Sequence, residues 1–240
     1  MMKEKELDID WKKHVCYSKA VKKIIREELR KKSKNNDEME YMWEKVQQKY
    51  VEYLKDQSYL GGKKSGHNAA GGTYDCIAIL AYYEVMDRKP SIEEIYQMNK
   101  ELLLPSFAAL GKIFNVNHPW QLRLLNKIFE QTAKRDKKME KDLPEGYRMR
   151  TEPYQKDTGV HYRFERCPIA EFAKKHDLLE IMPAICNGDY PAFALLHAGL
   201  IRTSTCANGD VCDYWIVGDK SQYLKEHPEK VDEQGYIYNE

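Results

Sequence analysis

Long apolar runs are missing from this chain of 240 residues. No stretch of about 18 apolar residues occurs, which excludes a helix that crosses a bilayer. The opening MMKEKELDIDWKK lacks the apolar segment of a secretory signal. A surplus of one charge is missing too. Lys plus Arg number 39 against 38 Asp plus Glu, so there is no general pull toward nucleic acid or an anionic membrane. Internal repeats, low-complexity tracts, C-x-x-C pairs and H-x-x-x-H pairs are all absent. These absences leave a soluble, cytoplasmic protein with a small-molecule partner, no nucleic-acid or membrane partner, and an oligomeric state that the sequence leaves open.

What is present describes an ordinary globular protein with a heavily charged surface, 42% hydrophobic and 32% charged. Six cysteines stand at Cys16, Cys76, Cys167, Cys186, Cys206 and Cys212. With no secretory signal, reduced thiols are expected rather than a disulfide framework. Cys16 and Cys76 read as small core residues.

The first half reads as helices. SKAVKKIIREELRKK spaces Val21, Ile24, Ile25 and Leu29 at helical intervals, and Glu38 to Leu54 repeats the pattern with Met42, Trp43, Val46, Tyr50 and Leu54. GGKKSGHNAAGG, Gly61 to Gly72, reads as loop. It leads into a buried helix, TYDCIAILAYYEVMDR, with Thr73 as N-cap. Ser91 and Glu94 have capping-box spacing. Asn117 to Lys141 forms a long helix ending in charges that alternate in sign, a solvated face. Trp43, Tyr50, Tyr53 and Tyr59 belong to the core or to a partner surface.

After Pro144 the pattern changes. GYRMRTEPY and GVHYRFERC alternate as half-exposed strands do. CPIAEFAKKHD starts a helix at Pro168, and Asp177 to Gly199 is a bent helical stretch. IRTSTCANGDVCDYWIV reads as a hairpin turning at Asn208-Gly209. The fold class is therefore α+β: a helical part over 1–145, then 146–240, a small antiparallel sheet of about four strands packed on helices.

A two-residue turn sets a register in which Arg202 faces Trp215 and Thr203 faces Tyr214. One face then carries Arg202, Ser204, Cys206, Asp213 and Trp215, with Arg202 and Asp213 close enough to pair. Cys206 and Cys212 fall on opposite faces. A one-residue slip inverts the whole assignment. On this register Arg202 is either half of a surface pair or a two-pronged anchor for a carboxylate. Asp213 is then a base or the partner of a cationic group. Asp189, in Cys186-Asn-Gly-Asp, either caps the next helix or works in a site. Cys167, at a strand-to-helix junction, gains acidity from the helix N-terminus and reads as a nucleophile. Cys167, Cys186 and Cys212 with a His or Asp suit zinc chemically, but their spacings are long. No cofactor is expected.

Phe164 to Val217 resembles the L-2-amino-thiazoline-4-carboxylic acid hydrolase family. The residues that carry the resemblance are Cys167, Cys186 with Asp189, Arg202-Thr203, and Gly209 with Cys212-Asp213. The helix beginning at Tyr74-Asp75 agrees more loosely. Cys206 and Tyr214-Trp215 depart from the family pattern, where an aliphatic residue and a phenylalanine followed by a basic residue are expected. The resemblance implies hydrolytic opening of a 2-amino-thiazoline ring to a carbamoyl-cysteine. It implies Arg202 and Thr203 on the substrate with Trp215 shaping the pocket, and Asp189 or Asp213 stabilising charge or moving protons. The attacking group is water or a thiolate of Cys167, Cys186 or Cys212.

Two other functions compete: a non-catalytic small-molecule-binding module, and a thiol redox or metal-handling protein. The Gly61–Gly72 segment lacks the order of a phosphate-binding loop and reads better as a lid, with His67 or Asn68 reaching into the site.

Overall fold

The computed structural model describes residues 17–57, 60, 69–155 and 159–240. Helix α1 (Lys19–Lys32) opens where the Ser18 hydroxyl accepts the Val21 N–H at 3.2 Å, and it buries Val21, Ile24, Ile25 and Leu29. Helix α2 (Asn36–Asp56) is capped by Asn35. It places Trp43, Tyr50 and Tyr53 in the core, each 5% exposed or less; Tyr59 lies outside the described residues, as does Cys16.

Helix α3 (Ala69–Val85) is central. Ile77 through Tyr82 are each 1% exposed or less, the pattern of a helix enclosed on every side. It starts earlier than the sequence reading allows. Ala69 to Gly72 are helical rather than loop, and Thr73 is inside the helix rather than its N-cap. Alanines favour the helix here, and Thr73 is buried with its hydroxyl 2.7 Å from that of Tyr147. Helix α4 (Ile92–Gly111) opens with the expected Ser91–Glu94 capping box, and α5 (Pro119–Met139) follows.

The sheet has strands β1 (Arg148–Thr151), β2 (Val160–Arg166), β3 (Ala198–Ile201) and β4 (Cys212–Gly218), antiparallel in the order β1-β2-β4-β3. Between β2 and β3 run α6 (Pro168–Lys175), a 3-10 turn, α7 (Met182–Cys186) and α8 (Asp189–Ala194). After β4 come α9 (Gln222–Glu226) and a strand pair that the sequence reading missed, β5 (Glu229–Val231) with β6 (Ile237–Asn239).

The inner face of the sheet carries Val160, Tyr162, Cys212, Tyr214 and Ile216, all buried. Phe129 of α5 packs on Tyr162 at 4.3 Å. Helix α4 holds the α7–α8 turn directly, because the Asn99 amide donates to Ala184 O (3.2 Å) and Ile185 O (2.8 Å). Gly188 permits this approach: a Cβ there would stand 2.4 Å from Asn99 Nδ2. One hydrophobic cluster runs from α1 through α3 into the sheet.

The expected hairpin register is off by one. Ile201, not Arg202, lies opposite Trp215, and residues 202–211 form a loop rather than continued strands joined by a tight turn. Side chains have taken over the hydrogen bonds a ladder would make. Asn208 Oδ1 accepts from the Thr205 N–H and hydroxyl, both at 2.8 Å. Asp213 accepts the backbone N–H groups of Thr203 and Ser204, each at 3.0 Å, and the Thr203 hydroxyl at 2.9 Å. The slip moves Arg202 onto the inner face with Cys212 and Tyr214, and leaves Asp213 and Trp215 on the outer one.

Candidate functional site

Arg202 and Asp213 therefore do not pair. Arg202 Nη1 donates to Asp189 Oδ2 at 3.1 Å, and Nη2 donates to the Cys186 carbonyl at 3.0 Å. The same Asp189 oxygen accepts the Tyr214 hydroxyl at 2.7 Å. Asp189 sits in the first turn of α8, yet its carboxylate turns to the sheet rather than capping the helix. Tyr214 is itself fixed by a parallel stack on Tyr162, 4.7 Å between centroids. The Arg202 guanidinium lies over the rings of Tyr190 and Tyr214, at 5.0 and 5.7 Å.

Exposure separates the two charges. The Asp189 side chain keeps 31% of its surface open, while that of Arg202 has 0%. The Asp189 side chain is thus half-buried, and the guanidinium beside it is fully covered. Burial raises the Asp189 pKa above the usual carboxylate value, against the lowering pull of Arg202 and the Tyr214 hydroxyl. Burial works against the charge on Arg202, and the Asp189 carboxylate, 3.1 Å away, favours it. Arg202 has no free face with which to grip a substrate carboxylate.

The thiols gather around this pair. Cys186 reaches the Thr205 hydroxyl, and Cys212 reaches that of Tyr214. Cys167 bonds to Tyr147, whose hydroxyl also meets Thr73. Cys76, Cys167 and Cys186 are half-buried residues, whereas Cys206 and Cys212 are buried. Cys206 donates to Phe164 O at 3.3 Å and lies beside Cys212, not across the sheet from it.

The acidity expected of Cys167 is contradicted. It is the N-cap of α6 and receives the Ala170 N–H, but burial outweighs that help and lifts its pKa well above the ordinary thiol value. Burial raises Cys186 and Cys212 as well, and pushes Cys76 up to about 12. At neutral pH these groups are thiols, not thiolates.

The remaining candidates lie elsewhere. Thr203 is exposed and bound to Asp213. Trp215 stacks on Tyr223 at 5.4 Å and meets His161 edge-on at 4.6 Å. Thr203, Asp213 and Trp215 stand on the outer side of the sheet, away from Asp189. His67 and Asn68 lie outside the described residues. Among the described residues, no group of three or more His, Cys, Asp or Glu side chains is placed to hold a metal ion, and no helix is long and apolar enough to cross a membrane. Sequence reasoning missed Tyr214, Tyr162, Tyr147 and Thr205. The inner-face alternation Tyr162-x-Phe164 and Cys212-x-Tyr214 was the available signal for the first two.

Fold and site together define an α+β protein in which a half-buried carboxylate is paired with a fully buried arginine and thiols lie beside the pair. Residues 74–216 match the L-2-amino-thiazoline-4-carboxylic acid hydrolase family, and the chain belongs to that family. The match spans more than half of the chain and takes in Cys76, Cys167, Cys186, Asp189, Arg202, Cys212 and Tyr214. The family name is that of a hydrolase. No curated protein and no solved structure matches the chain.

Proposed function

We propose that this protein hydrolyses a small cyclic C=N substrate of the amidine type, opening L-2-amino-thiazoline-4-carboxylate to a carbamoyl-cysteine, with Asp189 as the group that moves protons. The observation that carries this reading is the asymmetry of the buried pair. The Asp189 side chain is half-buried, with Arg202 and Tyr214 both holding one of its oxygens, while the Arg202 side chain is fully covered.

The chemistry asks for such a group. The carbon between ring sulfur and ring nitrogen accepts water most readily when the nitrogen is protonated, and a carboxylate stabilises that cation. Water adds its oxygen to this carbon, and Asp189 takes a proton from it. The carbon–sulfur bond then breaks, the sulfur leaves with the electron pair, and Asp189 returns the proton to it. The added oxygen releases its remaining proton to solvent, replacing the one that solvent gave to the ring nitrogen, and becomes the urea carbonyl, so the product is the substrate plus one water. Arg202 orients Asp189 and keeps it ionisable against the cost of burial. Attack by water fits the site better than attack by a cysteine, because burial holds the thiols protonated. The binding-module alternative predicts a pocket with no paired acid and thiol within hydrogen-bond reach; Asp189 and Cys212 are linked through the Tyr214 hydroxyl rather than directly, and an assay for gain of one water separates the two readings.

Mass spectrometry of purified protein incubated with L-2-amino-thiazoline-4-carboxylate tests the reading. Gain of one water is the expected result, and unchanged substrate over folded protein would remove the assignment.

A further inference from the structure

The family match stops at residue 216, and the strand pair β5–β6 lies beyond it. This outlying segment nevertheless touches both halves of the site. Asn239, next to the last residue, is 2% exposed. Its Oδ1 accepts the Arg202 N–H and the Tyr190 hydroxyl, each at 3.0 Å. Its own N–H donates to Arg202 O at 2.8 Å, and its Nδ2 donates to His227 O at 2.8 Å. Tyr190 follows Asp189 directly in the chain, and its ring lies under the Arg202 guanidinium. The same segment holds Asn187, two residues before Asp189: Asn187 Nδ2 donates to Gly235 O (2.8 Å), and Ile237 N–H donates to Asn187 Oδ1 (3.0 Å).

Arg202 is the first residue past β3, where the ladder with β4 has ended. A long side chain is aimed only as well as its backbone is fixed, and the Arg202 backbone is fixed from Asn239 on both its N–H and its C=O. A buried amide so fully used is worth its desolvation only if its partners need that geometry. We propose that Asn239 is a positioning residue for the Asp189–Arg202 pair, acting through the Arg202 backbone and Tyr190, and that residues 229–240 belong to the site's construction. The inference rests on Asp189 being the working acid.

Asn239→Ala tests it, read by carboxyl carbon-13 NMR titration of Asp189, with the signal assigned by its loss in Asp189→Asn. Asp189 is faced by Arg202, Tyr214, Cys212, Tyr162, Cys186, Cys76 and Tyr190; of these, the substitution frees Arg202 and the Tyr190 phenol, and Arg202 is the one that carries charge. With Arg202 loosened, burial is opposed by the Tyr214 hydroxyl alone, and the Asp189 midpoint rises by about one pKa unit. The kcat falls about tenfold while KM stays within about twofold, the pattern of a misplaced reacting group. A purely structural role would lower the melting temperature and leave the midpoint in place. Should Asn239→Ala fail to fold, Tyr190→Phe takes its place, since it deletes the hydroxyl held by Asn239 and keeps the ring under the guanidinium. A folded variant whose Asp189 titration superimposes on wild type overturns the proposal. A shifted midpoint in a protein inactive on the thiazoline supports the positioning role and counts only against the hydrolase reading.

Discussion

Tyr214 and Asp189 meet at 2.7 Å, phenol to carboxylate, across the gap between the central sheet and the start of α8. The contact joins residues 25 apart in sequence, and it converges with Arg202 on one oxygen of a half-buried carboxylate. Removing the phenol without the ring isolates its role. Tyr214→Phe retains the stack on Tyr162 and loses one hydrogen bond to a charged group, worth about 1.5–3 kcal/mol. Turnover of the folded protein should fall by roughly 10- to 100-fold, and the melting temperature by about 3–12 °C. Steady-state kinetics beside a thermal melt check this.

Asp213 has a different task. It gathers the N–H groups of Thr203 and Ser204 and the Thr203 hydroxyl, and so closes the 202–211 loop from the outer face. Asp213→Ala should cost stability, about 1–3 kcal/mol for the donors it strands, and leave the kcat of the folded fraction within a fewfold of wild type. Urea unfolding measured alongside activity distinguishes the two effects.

The thiols should be slow to react. Burial raises Cys76, Cys167, Cys186 and Cys212 above the ordinary cysteine value, so the thiolate fraction at pH 8 is smaller than in an unfolded chain. Iodoacetamide followed by peptide mass spectrometry should label these four at least about tenfold more slowly in native than in urea-unfolded protein. Intact mass during turnover should show no covalent adduct.

Asp136 supplies a pH dependence independent of the site. It is buried in α5 at 4% exposure, and burial, opposed by Arg150 and reinforced by Glu140, lifts its pKa to about 7. The folded state thus holds this proton more tightly than the unfolded state, whose carboxyl titrates near 4. The stability tied to the proton is complete below about pH 4 and is lost as pH rises through about 7. Asp136→Asn should therefore stabilise the protein at pH 8 by about 1–3 kcal/mol, and by progressively less toward pH 4. Denaturant curves at several pH values measure the difference.

Much of the fold was legible because local signals carried it. Val21, Ile24, Ile25 and Leu29 announce α1, and Ser91 with Glu94 announces the start of α4. The site was legible in composition and wrong in geometry. Cys186, Asp189, Arg202 and Cys212 were all named, yet a register resting on Asn208-Gly209 as a tight turn put Arg202 with Asp213. Nothing in the sequence shows that Asn208 caps Thr205 or that Asp213 collects loop N–H groups, since either side chain serves equally well at a turn. One residue of slip then reversed both faces. The acidity of Cys167 failed for another reason: the helix N-terminus was read correctly, but burial is a tertiary property and here it is the larger effect. The β5–β6 pair escaped notice because its strands are short and lean on Asn187, Tyr190 and Arg202 rather than on a pattern of their own.

The most direct test compares Asp189→Asn with Asp213→Asn for conversion of L-2-amino-thiazoline-4-carboxylate, each variant first shown to be folded. Asp189→Asn keeps the shape and removes the charge and the proton-accepting role. The account predicts a loss of about a thousandfold or more for Asp189→Asn and less than about tenfold for Asp213→Asn. Turnover at the wild-type rate by folded Asp189→Asn, or its abolition by Asp213→Asn alone, would contradict it.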